Sequence, residues 1–319
     1  MAVRPRIFVA IASYRDPECQ WTVKDLFAKA AHPERVFVGV LWQSIEGEDA
    51  HCFVEPAPRP EQVRVRHVDA RESRGACWAR AETSALWQGE AWALQIDSHM
   101  RFEPGWDEIL LGMAAAVPSE KPIISTYPSG YLPPDTLRRE VMFAMGAKEF
   151  RPDGILLMQG RYLDLKDPPP APLPGAFISA AFVFGPASWL TEVPYDPHLY
   201  FFGEEISMAV RLWTHGYDIY HPHRQVLYHL WSRQGRRTHF DDHSTWPTAD
   251  AKAVARVHHI FGTMPSDDPA VTVEAARYGL GAARSLAAYE VWSEIDFRAR
   301  TFSERARDGR RYPPPPKPG

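Results

Sequence analysis

Asp97 and His99 stand two positions apart where an apolar run, Trp92-Ala-Leu-Gln-Ile-Asp97, gives out. Side chains alternate faces along a strand, so residues at i and i+2 project to the same side and can grip one ion between them. A carboxylate beside an imidazole suits a borderline divalent cation, with Mn²⁺ first, Mg²⁺ next and Zn²⁺ within the same range. Two protein ligands leave coordination positions for the oxygens of a diphosphate. An ion held there would neutralise the diphosphate of a nucleotide-sugar and the charge that grows on it as the glycosidic bond breaks. The bland alternative is an ordinary polar turn at a strand end.

Other polar residues gather at comparable points. Ser13, Tyr14, Arg15 and Asp16 follow an apolar run over 6–12, and Arg74 and Gly75 follow another over 63–68. Arg80 lies on the helix expected next, and guanidinium groups suit phosphate, although surface charge is the commoner fate of arginine. Tyr14 offers either turn packing or a face for uracil, with Asp16 on uracil or ribose. Glu204 and Glu205 open an amphipathic helix, where two acids also favour the positive helix N-terminus. His229 ends a short extended piece over 225–230. The polar stretch 232–246, with Arg236, Arg237, His239 and His243, is expected to be a mobile loop that serves as a solvated linker or folds over a pyrophosphate and excludes water.

These residues need elements to hold them. The runs 6–12, 19–31 and 36–42 read as strand, helix and strand, which predicts a parallel sheet with ligands at the carboxyl ends of its strands. A strand over 63–68, a helix over 76–88 and the strand 91–96 extend it, without a glycine-rich phosphate fingerprint. A helix over 106–116 and a strand over 122–126 come next, followed by mixed signals to residue 174 with strand-like pieces at 141–144 and 155–158. The apolar run 176–184 reads as another buried strand. Beyond the helix closed by His215 and Gly216, helical patterns return at 249–261 and 269–297. The expected division is a catalytic domain over 1–263, a helical extension over 264–302 and a disordered proline-rich tail over 303–319.

The chain of 319 residues, 45% of them hydrophobic, can bury a substantial core. A formal net charge of −4 gives no general case for nucleic acid or an anionic membrane. No apolar stretch approaches the roughly 18 to 20 residues that span a bilayer, and no signal peptide is expected. The three cysteines, Cys19, Cys52 and Cys77, are odd in number and lack metal-site spacing. A reducing cytoplasm is the expected location.

The motifs Ser13-Tyr-Arg-Asp16, Ser73-Arg-Gly-Ala-Cys-Trp-Ala-Arg80, Gln95-Ile-Asp-Ser-His-Met-Arg-Phe102, Pro194-Tyr-Asp-Pro197, Phe202-Gly-Glu-Glu-Ile-Ser-Met-Ala-Val-Arg-Leu-Trp-Thr-His-Gly216 and Tyr228-His-Leu-Trp231 occur in that order. Together they resemble the cytoplasmic polypeptide N-acetylglucosaminyltransferases that modify hydroxyproline on Skp1. The resemblance implies a GT-A fold, an open mixed α/β sheet flanked by helices, with a divalent metal and retaining transfer of GlcNAc from UDP-GlcNAc to a hydroxyl. It implies a donor site that includes Ser13 to Asp16, Arg74, Gly75, Arg80, Asp97 and Ser98, with Glu204 and Glu205 on the sugar or the acceptor. More distantly, the series is similar to mucin-type polypeptide N-acetylgalactosaminyltransferases, whose distal histidine is a third metal ligand, the role that falls to His229. Ser179, Ala180 and Ala181 depart from the pattern, which often has a glycine pair there. The acceptor class stays open between protein, glycan and small molecule. A different UDP-sugar, a metal-dependent hydrolase and a non-catalytic nucleotide-sugar binder are the competing readings.

Overall fold

A computed structural model describes residues 5–318. The first strands are β1 (Ile7–Tyr14), β2 (Val36–Ser44), β3 (Val63–Asp69), β4 (Trp92–Asp97), β5 (Met100–Phe102), β6 (Pro122–Ile124), β7 (Ser129–Leu132) and β8 (Thr136–Leu137). After them come β9 (Met142–Phe150), β10 (Leu156–Leu163), β11 (Leu173–Pro174), β12 (Phe182–Pro186), β13 (Asp218–His221) and β14 (Leu227–His229). Eight of these form one mixed sheet in the order β11-β13-β6-β12-β4-β1-β2-β3. Strands β3, β2, β1 and β4 run parallel, whereas β12 is antiparallel to both β4 and β6. The parallel sheet expected from the opening residues is therefore its first half.

The alternation of β1 sorts its side chains into two cores. Ile7, Val9 and Ile11 pack with Leu26 of α1 (Glu18–Lys29) on one face. Phe8 and Ala10 join the other face, with Cys77 of α2 (Ala76–Ser84). Burial on both faces is why β1 reads as an unbroken apolar run. Helix α3 (Trp106–Ala115) covers the first face; α4 (Trp189–Glu192) and α5 (Glu204–Thr214) cover the second. A second, small sheet, β5-β14-β7-β8, leaves the main sheet at the end of β4.

Several expected boundaries move. The strand expected over 176–184 begins only at Phe182, because Ser179 to Ala181 make a tight turn closed by a Ser179–Phe182 bridge. The pieces at 141–144 and 155–158 are parts of one long hairpin, β9 with β10. The polar stretch 232–246 contains the short helix α6 (His239–Asp242), after which α7 (Trp246–Ile260) starts three residues earlier than its periodicity predicts. Within 269–297 only α8 (Pro269–Thr272) and α9 (Leu286–Ser293) are helical.

Of the tail expected to be disordered, residues 303–312 are packed, whereas 313–318 lack regular structure and are mostly exposed. Ser303 caps α10 (Glu304–Asp308) by accepting the Ala306 amide at 3.2 Å, and Gly309 ends it in the left-handed region. Ala306 is fully buried, and Tyr312 stacks on Trp292 with centroids 4.9 Å apart. The close approach needs two glycines. A Cβ on Gly146 of β9 would meet the Arg307 carbonyl at 2.2 Å, and one on Gly309 would overlap the Met145 carbonyl. The proline count hid these cap signals. No helix among the described residues is long and apolar enough to cross a membrane.

Candidate active site

The turn from β4 into β5 carries Asp97, Ser98 and His99. Strand β14 pairs antiparallel with β5 in a register that sets His229 opposite Met100, and the Leu230 amide donates to the His99 carbonyl at 3.1 Å. That register brings His229 to the turn from 130 residues away in sequence. His229 Nε2 lies 3.0 Å from His99 Nε2 and 3.2 Å from Asp97 Oδ2. One ligand atom from each of the three residues falls within 4.8 Å of the others, the size of an ion site.

Each member is held from behind. His99 Nδ1 lies 2.6 Å from Asp16 Oδ2, and the other oxygen of Asp97 accepts Arg80 Nη2 at 2.8 Å. Burial opposes charge on Asp97, but His229 and Arg80 outweigh it and hold the carboxyl well below its ordinary range. Burial also pushes His229 down to about 4, against the pull of Asp97, so its imidazole is neutral and has a lone pair to offer. His229 Nδ1 is buried and has no hydrogen-bond partner among the described residues. Two imidazoles and a carboxylate whose outward atoms converge fit a divalent cation of the Mn²⁺ type.

These atoms open on a cavity of about 800 Å³ at the carboxyl ends of β1 and β4. Ser98, Gly75, Arg80, Glu204 and Glu205 line it. Gly75 adopts φ +106°, and a Cβ there would press on the Tyr200 ring at 2.8 Å, so the chain before α2 can lie close to the segment leading into α5. Arg80 is buried with both ends in use, Nη2 on Asp97 and Nη1 on Glu204. It braces two acidic side chains from behind the expected diphosphate position. Glu205 Oε2 accepts the Tyr127 hydroxyl at 2.8 Å and Oε1 the Ala180 amide at 2.9 Å. Burial and the neighbouring Glu204 raise it to about 7 despite those two donors.

The β1 end departs from expectation residue by residue. Tyr14 faces the cavity, its hydroxyl on Asp242 at 3.0 Å, whereas Ser13 is fully buried. Arg15, at φ +47°, turns away from the cavity into Asp49 at 2.9 Å and Glu48 at 2.6 Å. Arg74 is exposed, 5.9 Å over the Trp78 ring, and does not line the cavity. Arg236 does line it, beside Arg80, with Nη1 3.2 Å from Asp16 Oδ2 and closer to His99 Nδ1.

Sequence reasoning missed the far wall. Phe143, Met158 and Tyr162 of the β9–β10 hairpin close the cavity, and Trp231 stands beside His229 with ring centroids 4.3 Å apart. Trp231 had a local signal, two residues past His229. The hairpin had none, because nothing local ties 142–163 to the ends of β1 and β4.

The GT-A fold agrees with a solved structure. GalNAc-T7, crystallised with UDP, GalNAc and Mn²⁺, superposes with a TM-score of 0.60 at 12% identity, over 87% of this chain and 56% of that one. The chain thus spans little more than half the length of that relative. TarS of S. aureus (residues 1–349) aligns with a TM-score of 0.48 at 12% identity, over 86% of this chain and 70% of its own. A search of curated proteins gives no match. The family model described as glycosyltransferase (GlcNAc) matches residues 6–61 and 54–299. With nearly the whole fold inside that match, the chain belongs to the glycosyltransferase (GlcNAc) family.

Proposed function

We propose that the protein is a metal-dependent retaining glycosyltransferase that transfers a sugar, foremost GlcNAc from UDP-GlcNAc, to a hydroxyl acceptor. The observation that carries this reading is the convergence of Asp97, His99 and His229 on one ion-sized space at the mouth of the cavity. A divalent cation held by those three residues, Mn²⁺ foremost as in GalNAc-T7, would neutralise the donor diphosphate and the charge it gains as the glycosidic bond breaks.

The protein's own groups position the rest. The Tyr14 ring offers a face for the nucleoside base. Arg236 supplies a cation on the side of the cavity where a diphosphate would lie. Glu204 is fixed by Arg80 and Glu205 by Tyr127 and the Ala180 amide, so both can orient sugar or acceptor hydroxyls without moving. In a retaining transfer the acceptor hydroxyl approaches on the leaving-group side, and the departing phosphate takes its proton. Tight positioning then matters more than a strong base. The motif resemblance to the Skp1-hydroxyproline enzymes supports GlcNAc as the sugar and a protein hydroxyl as one acceptor class.

UDP release measured across a panel of UDP-sugars, with Mn²⁺ and after chelation, tests this. The expected result is the fastest release from UDP-GlcNAc, dependent on Mn²⁺, and at least ~100-fold slower in His99→Ala. Full metal-dependent turnover by His99→Ala would remove it from the ligand set.

A further inference from the structure

Asp16 ends the Ser13-Tyr-Arg-Asp16 motif, where a nucleoside contact was expected. The structure leaves it little to offer one. Asp16 is 1% exposed; Oδ1 accepts the Glu18 amide at 3.0 Å, and Oδ2 meets the Ser98 hydroxyl at 2.6 Å, His99 Nδ1 at 2.6 Å and Arg236 Nη1 at 3.2 Å. We propose that Asp16 is the positioning residue of His99, accepting its Nδ1–H so that Nε2 is left bare and aimed at the space shared with Asp97 and His229. This assignment rests on the proposed cation site and names the group that makes His99 a competent ligand.

The tautomer follows from counting donors. A guanidinium can only donate, and so can the Ser98 hydroxyl when its partner is a carboxylate. Oδ2 can only accept, so at 2.6 Å the proton between it and His99 sits on Nδ1, and Arg236 Nη1, which also lies against Nδ1, finds its acceptor in Oδ2. A neutral imidazole protonated at Nδ1 has its lone pair on Nε2. Nε2 is the atom that faces His229 and Asp97.

The backbone explains why Asp16 is available for this. Arg15 sits at φ +47°, anchored by Asp49, and that left-handed residue turns the next side chain back beneath the β4–β5 turn. The same turn is clamped by α1, where Thr22 Oγ1 donates to the Ser98 carbonyl at 2.7 Å and accepts the Met100 amide at 2.8 Å. Asp16 and Thr22 thus grip the segment carrying His99 from two sides. Carboxylates that orient a ligating imidazole in this way typically contribute 10- to 100-fold to metal affinity (order of magnitude).

Mn²⁺ binding without nucleotide, followed by the electron paramagnetic resonance signal of free Mn²⁺, separates this role from the others. Asp16→Asn keeps an acceptor oxygen and loses the charge; Asp16→Ala loses both. The expected result is graded, with affinity about 10-fold weaker in Asp16→Asn and about 100-fold weaker in Asp16→Ala, and UDP affinity of the chelated proteins within about twofold of the unmodified chain. Melting of the chelated proteins reports folding. If Asp16→Ala fails to fold, Asp16→Asn carries the comparison. An unmodified chain that binds no Mn²⁺ removes the cation site itself. Unchanged Mn²⁺ affinity in a folded variant overturns the role of Asp16 and leaves the site standing. Unchanged Mn²⁺ affinity with lost UDP affinity overturns it in favour of the nucleoside contact.

Discussion

Glu205 shows how the site's polar groups are tuned by neighbours that sequence cannot rank. Its carboxyl is raised to about 7, first by burial and then by Glu204, against hydrogen bonds from the Ala180 amide and the Tyr127 hydroxyl. A carboxyl raised in the folded state adds stability that is fully present below its unfolded value of 4.5 and is lost as pH rises through about 7. Glu205→Gln mimics the protonated form at every pH. Its stability relative to the unmodified protein, from urea unfolding, is expected to climb between pH 4.5 and 7 and level off above. The span is at most ~3 kcal/mol and smaller to the extent that water reaches the carboxylate. A difference that stays flat across that window would contradict the raised carboxyl. The same residues show what was legible. Asp97 and His99 could be read as a pair because their spacing is local. Arg80 could not be placed, because its partner Glu204 lies 124 positions away and only the folded chain reveals the contact. Arg236, which no motif singled out as a ligand, lines the same cavity.

Segments behave the same way at the scale of elements. β1, α1, β2 and β4 were legible because an apolar run between polar ends marks a strand buried on both faces, and the helix between them repeats with its own period. The stretch 232–246 was read as a mobile loop on polarity alone. Thr238 and Asp241 form a reciprocal cap, Tyr200 meets His239 Nδ1 at 2.6 Å, and His243 Nε2 meets the Ala70 carbonyl at 3.1 Å. Asp242 accepts both Tyr14 and Arg15. One end of the segment is therefore docked on three other parts of the chain, while Arg233 and Arg237 remain exposed along the cavity rim. A diphosphate would add a charged partner for these guanidiniums. Trypsin is expected to cut after Arg233 and Arg237 in the free protein and far more slowly with UDP and Mn²⁺ present. Equal cleavage in both conditions would exclude closure of this segment over the donor.

At the scale of the whole molecule, the pattern break near residue 263 does not coincide with a break in the core. Trp213 of α5 stacks on Trp292 at 5.9 Å and meets Tyr289 edge-on at 5.4 Å, and the Tyr289 hydroxyl donates to the Ala176 carbonyl at 2.7 Å. Arg284 Nη2 reaches Asp218 at 2.6 Å, tying the same region to β13. Tyr289, Trp292, Ile295 and Phe297 all belong to the cluster that includes Phe8 of the central strand. Each large side chain lost from such a cluster forfeits about 1.5–3 kcal/mol of burial, so four together forfeit about 6–12 kcal/mol, comparable with the roughly 5–15 kcal/mol that typically holds a domain together. The extension was read from helical periodicity, which reports where a helix has an apolar face and is silent on which core receives it. A chain ending at residue 263 is therefore expected to lose cooperative thermal unfolding and bind apolar dyes, whereas one ending at residue 312 keeps Tyr312 on Trp292 and should melt within a few degrees of the full chain. Cooperative melting of the 1–263 chain at the full-length Tm would show that the catalytic fold stands without residues 264–312, and the shared-core account would fail.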